Sequence, residues 1–81
     1  MIYAVIDTNV LVSALITHNP DAATAQVVRI LLEQGFTPMY DADIIAEYRE
    51  VLHRPKLKIS AEVADALISH IIDYGIEASR N

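Results

Sequence analysis

The sequence predicts an α/β fold in which a parallel sheet is flanked by helices. Three observations predict it: a β-branched apolar run from Ile2 to Ile6, apolar residues at helical spacing in the stretches that follow, and short strand-like segments between those stretches. Strands separated by helices are joined by crossovers, which makes them parallel and gathers functional groups beyond their carboxyl ends.

The run Ile2-Tyr3-Ala4-Val5-Ile6 has the continuous apolar character of a strand covered on both faces of a parallel sheet. Asp7-Thr8-Asn9 breaks it, and Val10, Leu11, Ala14 and Leu15 then recur at helical spacing until His18-Asn19-Pro20. Asp21 is placed to cap a second helix, Ala22 to about Gln34, with Ala25, Val28, Leu31 and Leu32 on one side and Gly35 marking its end. A short strand follows over Phe36 to Tyr40, where Pro38, lacking an N–H, suggests a bulge or an edge.

Asp41 resembles an N-cap for a third helix running to about His53, with Ile44, Ile45, Tyr48, Val51 and Leu52 as its apolar stripe and Pro55 as its stop. Ser60 is placed to cap a fourth, Ala61 to Tyr74, whose Val63, Ala64, Leu67, Ile68 and Ile71 face the core. Gly75 closes it, and a third strand is expected from Ile76.

Composition narrows the function classes. A chain of 81 residues makes one small domain at most, and one of this size buries only roughly 60 to 65 per cent of its unfolded surface. With no cysteine there are no disulfides and no thiolate metal sites, so the 53% hydrophobic fraction must supply the core. The longest apolar run, Met1 to Ile6, falls far short of the roughly 20 residues of a spanning helix, so no membrane partner is expected. No basic residue precedes Asp7, which argues against a secretory signal and makes the cytoplasm the expected compartment. Six basic against eleven acidic residues leave a net charge of −5, so any nucleic-acid contact must be local or metal-mediated. Two glycines provide no phosphate loop, and Ser13, Ser60, Ser69 and Ser79 sit in no nucleophile motif.

The chemistry-bearing candidates are acidic. A carboxylate at the end of a buried strand costs desolvation that a cation, hydrogen bonds or a shifted pKa must offset, and Asp7 is expected at such a place. Its alternative role is to cap the following helix, worth about 1 kcal/mol without catalysis. Glu47 and Glu50 compete as a second acid; at about 100° per residue, Glu47 falls one turn from Ile44 and Val51 at the rim of the apolar arc, and Glu50 turns toward solvent. A rim glutamate can equally be a partner for a nearby Lys or Arg. His18, His53 and His70 lack the paired spacing of a zinc site. Phe36 and Tyr48 suit a core better than base stacking, and Lys56 and Lys58 flank a loop within reach of phosphate.

The string Ile2-Tyr3-Ala4-Val5-Ile6-Asp7-Thr8-Asn9-Val10-Leu11-Val12-Ser13-Ala14 resembles the opening of PIN-domain proteins, especially those described as toxin components of toxin-antitoxin pairs. Ile44 to Leu52, followed by Arg54-Pro55-Lys56, is similar to the second acidic block of that family. The resemblance implies a PIN-like parallel sheet and a magnesium- or manganese-dependent endoribonuclease. Asp7 and Glu47 would be the metal ligands, with Asn9 and Thr8 orienting the site. It runs through all 81 residues, yet PIN domains continue through further strands and helices that carry the remaining acids. The resemblance therefore implies the N-terminal portion, residues 1–81, of a single PIN-like domain truncated after its first two or three strands, with activity impaired by the missing acids.

Implied partners are an RNA substrate, an antitoxin protein, and a second copy or complementing fragment at the apolar edge left open beside the first strand. Two other readings stand beside the nuclease. One is a non-catalytic module acting in dimerisation or antitoxin binding, the other a structural fragment in which Asp7 only caps a helix.

Overall fold

The computed structural model describes residues 2–17 and 22–78 of the chain. In order these form β1 (Tyr3–Ala4), α1 (Thr8–Ile16), α2 (Ala23–Leu32), β2 (Thr37–Tyr40), α3 (Ala42–Leu52), a 3-10 turn (Pro55–Leu57), α4 (Ala61–Tyr74) and β3 (Ile76–Glu77). The strands form one parallel sheet in the order β1-β2-β3, with Tyr3 opposite Thr37 and Met39 opposite Ile76. Two α-helices lie between each strand and the next, so the expected mixed α/β architecture with a parallel sheet is the one observed.

The core lies among the helices. Leu11 of α1, Leu31 of α2, Tyr48 and Leu52 of α3 and Ile71 of α4 are the largest fully buried side chains, and Ile6 joins them from the end of the first apolar run. The predicted stripes of α3 and α4 account for most of this cluster. Asp41 caps α3 as expected, its side chain accepting from the Ile44 N–H at 2.9 Å.

Several expectations are corrected. The first strand is not covered on both faces: only Tyr3 and Ala4 are in the ladder, and Ile2, Tyr3 and Val5 are 67%, 49% and 58% exposed. The cause is topological, since β1 is an edge strand of the described sheet, paired with β2 alone. Leu32 and Val63 are likewise exposed rather than facing the core. Helix α2 starts from Ala22 without a side-chain cap; Asp21 and the predicted stop His18-Asn19-Pro20 lie outside the described residues, and α1 ends through Thr17 N–H donating to the Ser13 carbonyl. Ser60 stands at the N-cap of α4, but its side chain makes no capping hydrogen bond.

At the end of α2 the left-handed residue is Gln34 (φ 61°), not the glycine after it. The Gly35 N–H reaches back to the Ile30 carbonyl at 2.8 Å, and a Cβ on Gly35 would lie 2.5 Å from Ile30 Cγ2. Close approach, rather than a positive φ, explains that glycine.

Pro38 marks neither a bulge nor a sheet edge; it is buried in the middle strand, opposite Ala4. Thr37 N–H donates to the Ile2 carbonyl at 2.8 Å, so alternation along the strand turns the Pro38 nitrogen toward β3. Pairing with β3 begins only at Met39 and Ile76, so the missing N–H costs no ladder bond.

Candidate active site

Asp7 follows the apolar run and immediately precedes α1. Its extended backbone (φ −64°, ψ 138°) lets its side chain accept from the Asn9 N–H at 2.7 Å, so it is the N-cap of α1. The capping role is therefore realised, through one carboxylate oxygen. Asp7 is also exposed, which corrects the expectation of a carboxylate strained by burial: with β1 at the sheet edge, water reaches the strand end and solvates the charge.

The elements around Asp7 are joined by two consecutive residues of α3. Tyr48, only 1% exposed, donates its hydroxyl to the carbonyl of Ile6 at 2.5 Å. Glu47, at the surface, accepts a hydrogen bond from the hydroxyl of buried Thr8. One grip thus falls on the residue before Asp7 and the other on the residue after it. This follows from helical geometry: Tyr48 points into the core beside Ile45 and Leu52, and its neighbour Glu47 is turned about 100° away, toward the start of α1.

The electrostatics agree with this closeness. Burial pushes the Tyr48 phenol up to about 12, and the negative charges of Glu47 and then Asp7 push in the same direction, against the hydrogen bond to Ile6, which lowers it. Both carboxylates therefore act on one phenol. Among the described residues no group of three or more His, Cys, Asp or Glu side chains is gathered where it could hold a metal ion. Asp7 follows the first strand, and the Thr8 hydroxyl beside it donates to Glu47.

The other singled-out residues lie elsewhere. Glu50 pairs with Arg54 at 2.8 Å on the outer face of α3, and His53 sits between the Arg49 carbonyl and Asp65. His70 approaches the Leu31 carbonyl and stacks at a tilt on Tyr74, their centroids 4.6 Å apart. His18 is outside the described residues. Asn9 contributes its backbone N–H to Asp7, and Lys56 and Lys58 are exposed around the 3-10 turn. Phe36 helps to line an apolar cavity of about 470 Å³ beside β1, where Ile2, Val5, Val10 and Ile30 also contribute and Asp7 is the one charged lining residue among those described.

Sequence reasoning took Tyr48 as a core residue and missed its bond to Ile6. The available signal was its position: a tyrosine on a buried stripe needs a partner for its hydroxyl, and here it adjoins the candidate acid.

A family model described as a PIN domain matches residues 3–79. Comparison with curated proteins and with solved structures gives no match. PIN domains in general are nuclease-like, use divalent metal ions and act on RNA. With the second quoted block and all of the first but Ile2 inside the matched span and a parallel α/β fold around them, this chain belongs to the PIN-domain family.

Proposed function

We propose that this chain supplies Asp7 and Glu47 as metal ligands of a PIN-type endoribonuclease, as the N-terminal portion, residues 1–81, of a single domain acting as a cytoplasmic toxin component. The observation that carries the reading is the hydrogen bond from Thr8 to Glu47, which brings an acid from α3 to the residue next to Asp7. Hard cations take oxygen donors, and magnesium keeps several waters while one or two carboxylates hold it. Asp7 and Glu47 fit that donor set, with the Thr8 hydroxyl orienting Glu47.

A bound magnesium or manganese ion supplies charge that polarises a phosphodiester and lowers the pKa of an attacking water. The chain's own residues hold and orient. Asp7 keeps one oxygen on the Asn9 N–H, leaving the other directed by the cap. Thr8 fixes one oxygen of Glu47, and the exposure of both acids leaves room for a single RNA strand. The net charge of −5 disfavours general phosphate binding, so contact with RNA is confined to the ion's neighbourhood.

A second reading is favoured by a different observation. The edge of β1, with Ile2, Tyr3 and Val5 exposed beside the apolar cavity, suits an interaction module that binds a second copy, a complementing fragment or an antitoxin. The two readings separate in a magnesium-dependent cleavage assay on single-stranded RNA, run with this chain and with Asp7→Asn. Cleavage abolished by the substitution supports the ribonuclease. Equal cleavage by the two proteins removes the catalytic assignment and leaves the interaction module.

A further inference from the structure

We infer that the Tyr48 hydroxyl is a positioning group for the Asp7–Glu47 pair, holding the segment that carries Asp7 in the place that α3 dictates. The inference rests on the metal-site reading above for its functional meaning, and on geometry for its substance.

The backbone at Asp7 is fixed from outside the two elements that flank it. The β1 ladder covers only Tyr3 and Ala4, and α1 begins at Thr8, so Val5, Ile6 and Asp7 belong to neither element. A carbonyl in such a stretch needs a partner once it is buried. For Ile6, itself in the core, the partner is the Tyr48 hydroxyl at 2.5 Å, from a side chain 42 positions away. The ring is anchored in turn by packing among core residues and is only 1% exposed, so it is a rigid post rather than a mobile contact.

Glu47 is the preceding residue on the same helix. Any displacement of α3 moves both the acid and the post, and the bond to Ile6 makes the Asp7 segment follow. The spacing between the two carboxylates is thereby tied to one rigid element. Tyr48 touches neither a substrate nor an ion in this role; it acts through Ile6. Partners of this kind typically change metal affinity by about 10- to 100-fold when removed, although both acids here are exposed, which places the expectation at the lower end.

The test uses manganese ion alone as the probe, with calorimetric titration of the wild-type chain, Tyr48→Phe, Asp7→Asn and the remote core variant Ile71→Val. Tyr48→Phe keeps the ring and removes the oxygen. Affinity is expected to fall about tenfold in Tyr48→Phe, to be lost in Asp7→Asn, and to be unchanged in Ile71→Val. Wild-type affinity in Tyr48→Phe, or an equal loss in Ile71→Val, overturns the positioning role while leaving the metal site standing. If Asp7→Asn binds as wild type does, or no variant binds, the metal-site reading fails instead. Positioning is then decided without metal by backbone NMR relaxation: order at Ile6 to Thr8 is expected to fall in Tyr48→Phe and not in Ile71→Val, and unchanged order overturns the inference.

Discussion

Thr8 and Glu47, 39 positions apart in the chain, are joined by a hydrogen bond from the threonine hydroxyl to the glutamate carboxylate. Thr8 opens α1 and Glu47 lies midway along α3, so the bond ties the helix after the first strand to the helix after the second. Because Tyr48 grips Ile6 at the same level, Asp7 sits between two fixed points.

Replacing Thr8 by valine removes that bond while keeping the side-chain volume. Thr8 is buried but Glu47 is exposed, so water replaces part of the lost interaction, and a stability loss of about 1 kcal/mol is expected. Urea denaturation of the two proteins measures it. Manganese affinity should fall in the same variant, because the freed glutamate samples other rotamers.

Tyr48→Phe leaves the Ile6 carbonyl without its donor in a buried setting. The expected cost is about 1–3 kcal/mol, and Tyr48→Ala, which also opens a cavity, should cost about 3–5 kcal/mol. Chemical denaturation followed by circular dichroism separates the two.

The pH dependence of stability should carry a histidine contribution. His53 is flanked by two acceptors, the Arg49 carbonyl at 2.6 Å and the Asp65 carboxylate at 2.8 Å, and only the doubly protonated ring donates to both. The Arg49 carbonyl most of all raises its pKa above the ordinary 6.5, desolvation opposes it, and the Asp65 carboxylate adds to the rise against the Arg49 charge. With the folded value above the unfolded one, the contribution is fully present below about pH 6.5 and is lost as pH rises through the folded pKa. Asp65→Asn should lower the His53 midpoint in an NMR titration, and the difference in melting temperature between wild type and His53→Gln should shrink from about pH 5.5 to about pH 8.

Gly75→Ala should be destabilising although the backbone there (φ −91°) is open to any residue. A Cβ would sit 2.3 Å from the Ile71 carbonyl oxygen and 2.6 Å from that of Pro38, both backbone atoms that cannot yield without moving α4 or β2. A loss of about 1–3 kcal/mol is expected, read as a lower urea midpoint.

The exposed β1 edge predicts association. Val5→Lys places a charge on the apolar surface beside the strand, a device that discourages edge pairing. Sedimentation at micromolar concentration should give a larger species for wild type than for this variant; equal monomers for both would leave the edge without a partner of its own kind.

Much of this was legible in the sequence. The three strands, the four helices and the Asp41 cap follow from periodicity and end signals, because the residues concerned answer to local rules. What was not legible depends on neighbours. Exposure of Ile2 and Val5 follows from the edge place of β1, which no local pattern encodes, and the same exposure relieves Asp7 of the desolvation cost expected for it. The tolerance of Pro38 in the middle strand depends on where β3 begins, which its own segment does not encode. Of the candidate site, Asp7 was legible as an acid at a strand end and Glu47 as one at the rim of an apolar stripe, and only the PIN-domain resemblance paired them. The bonds to Thr8 and Ile6 span about forty residues each and became visible only with the fold.

The central claim is that Asp7 and Glu47 face one cation. Manganese line broadening, mapped across the assigned amide resonances of the protein, tests it most directly. The expected result is simultaneous loss of signal at Asp7, Thr8 and Asn9 and at Glu47 and its α3 neighbours, abolished by Asp7→Asn. Broadening centred on another acidic surface, or at only one of the two segments, would contradict the account.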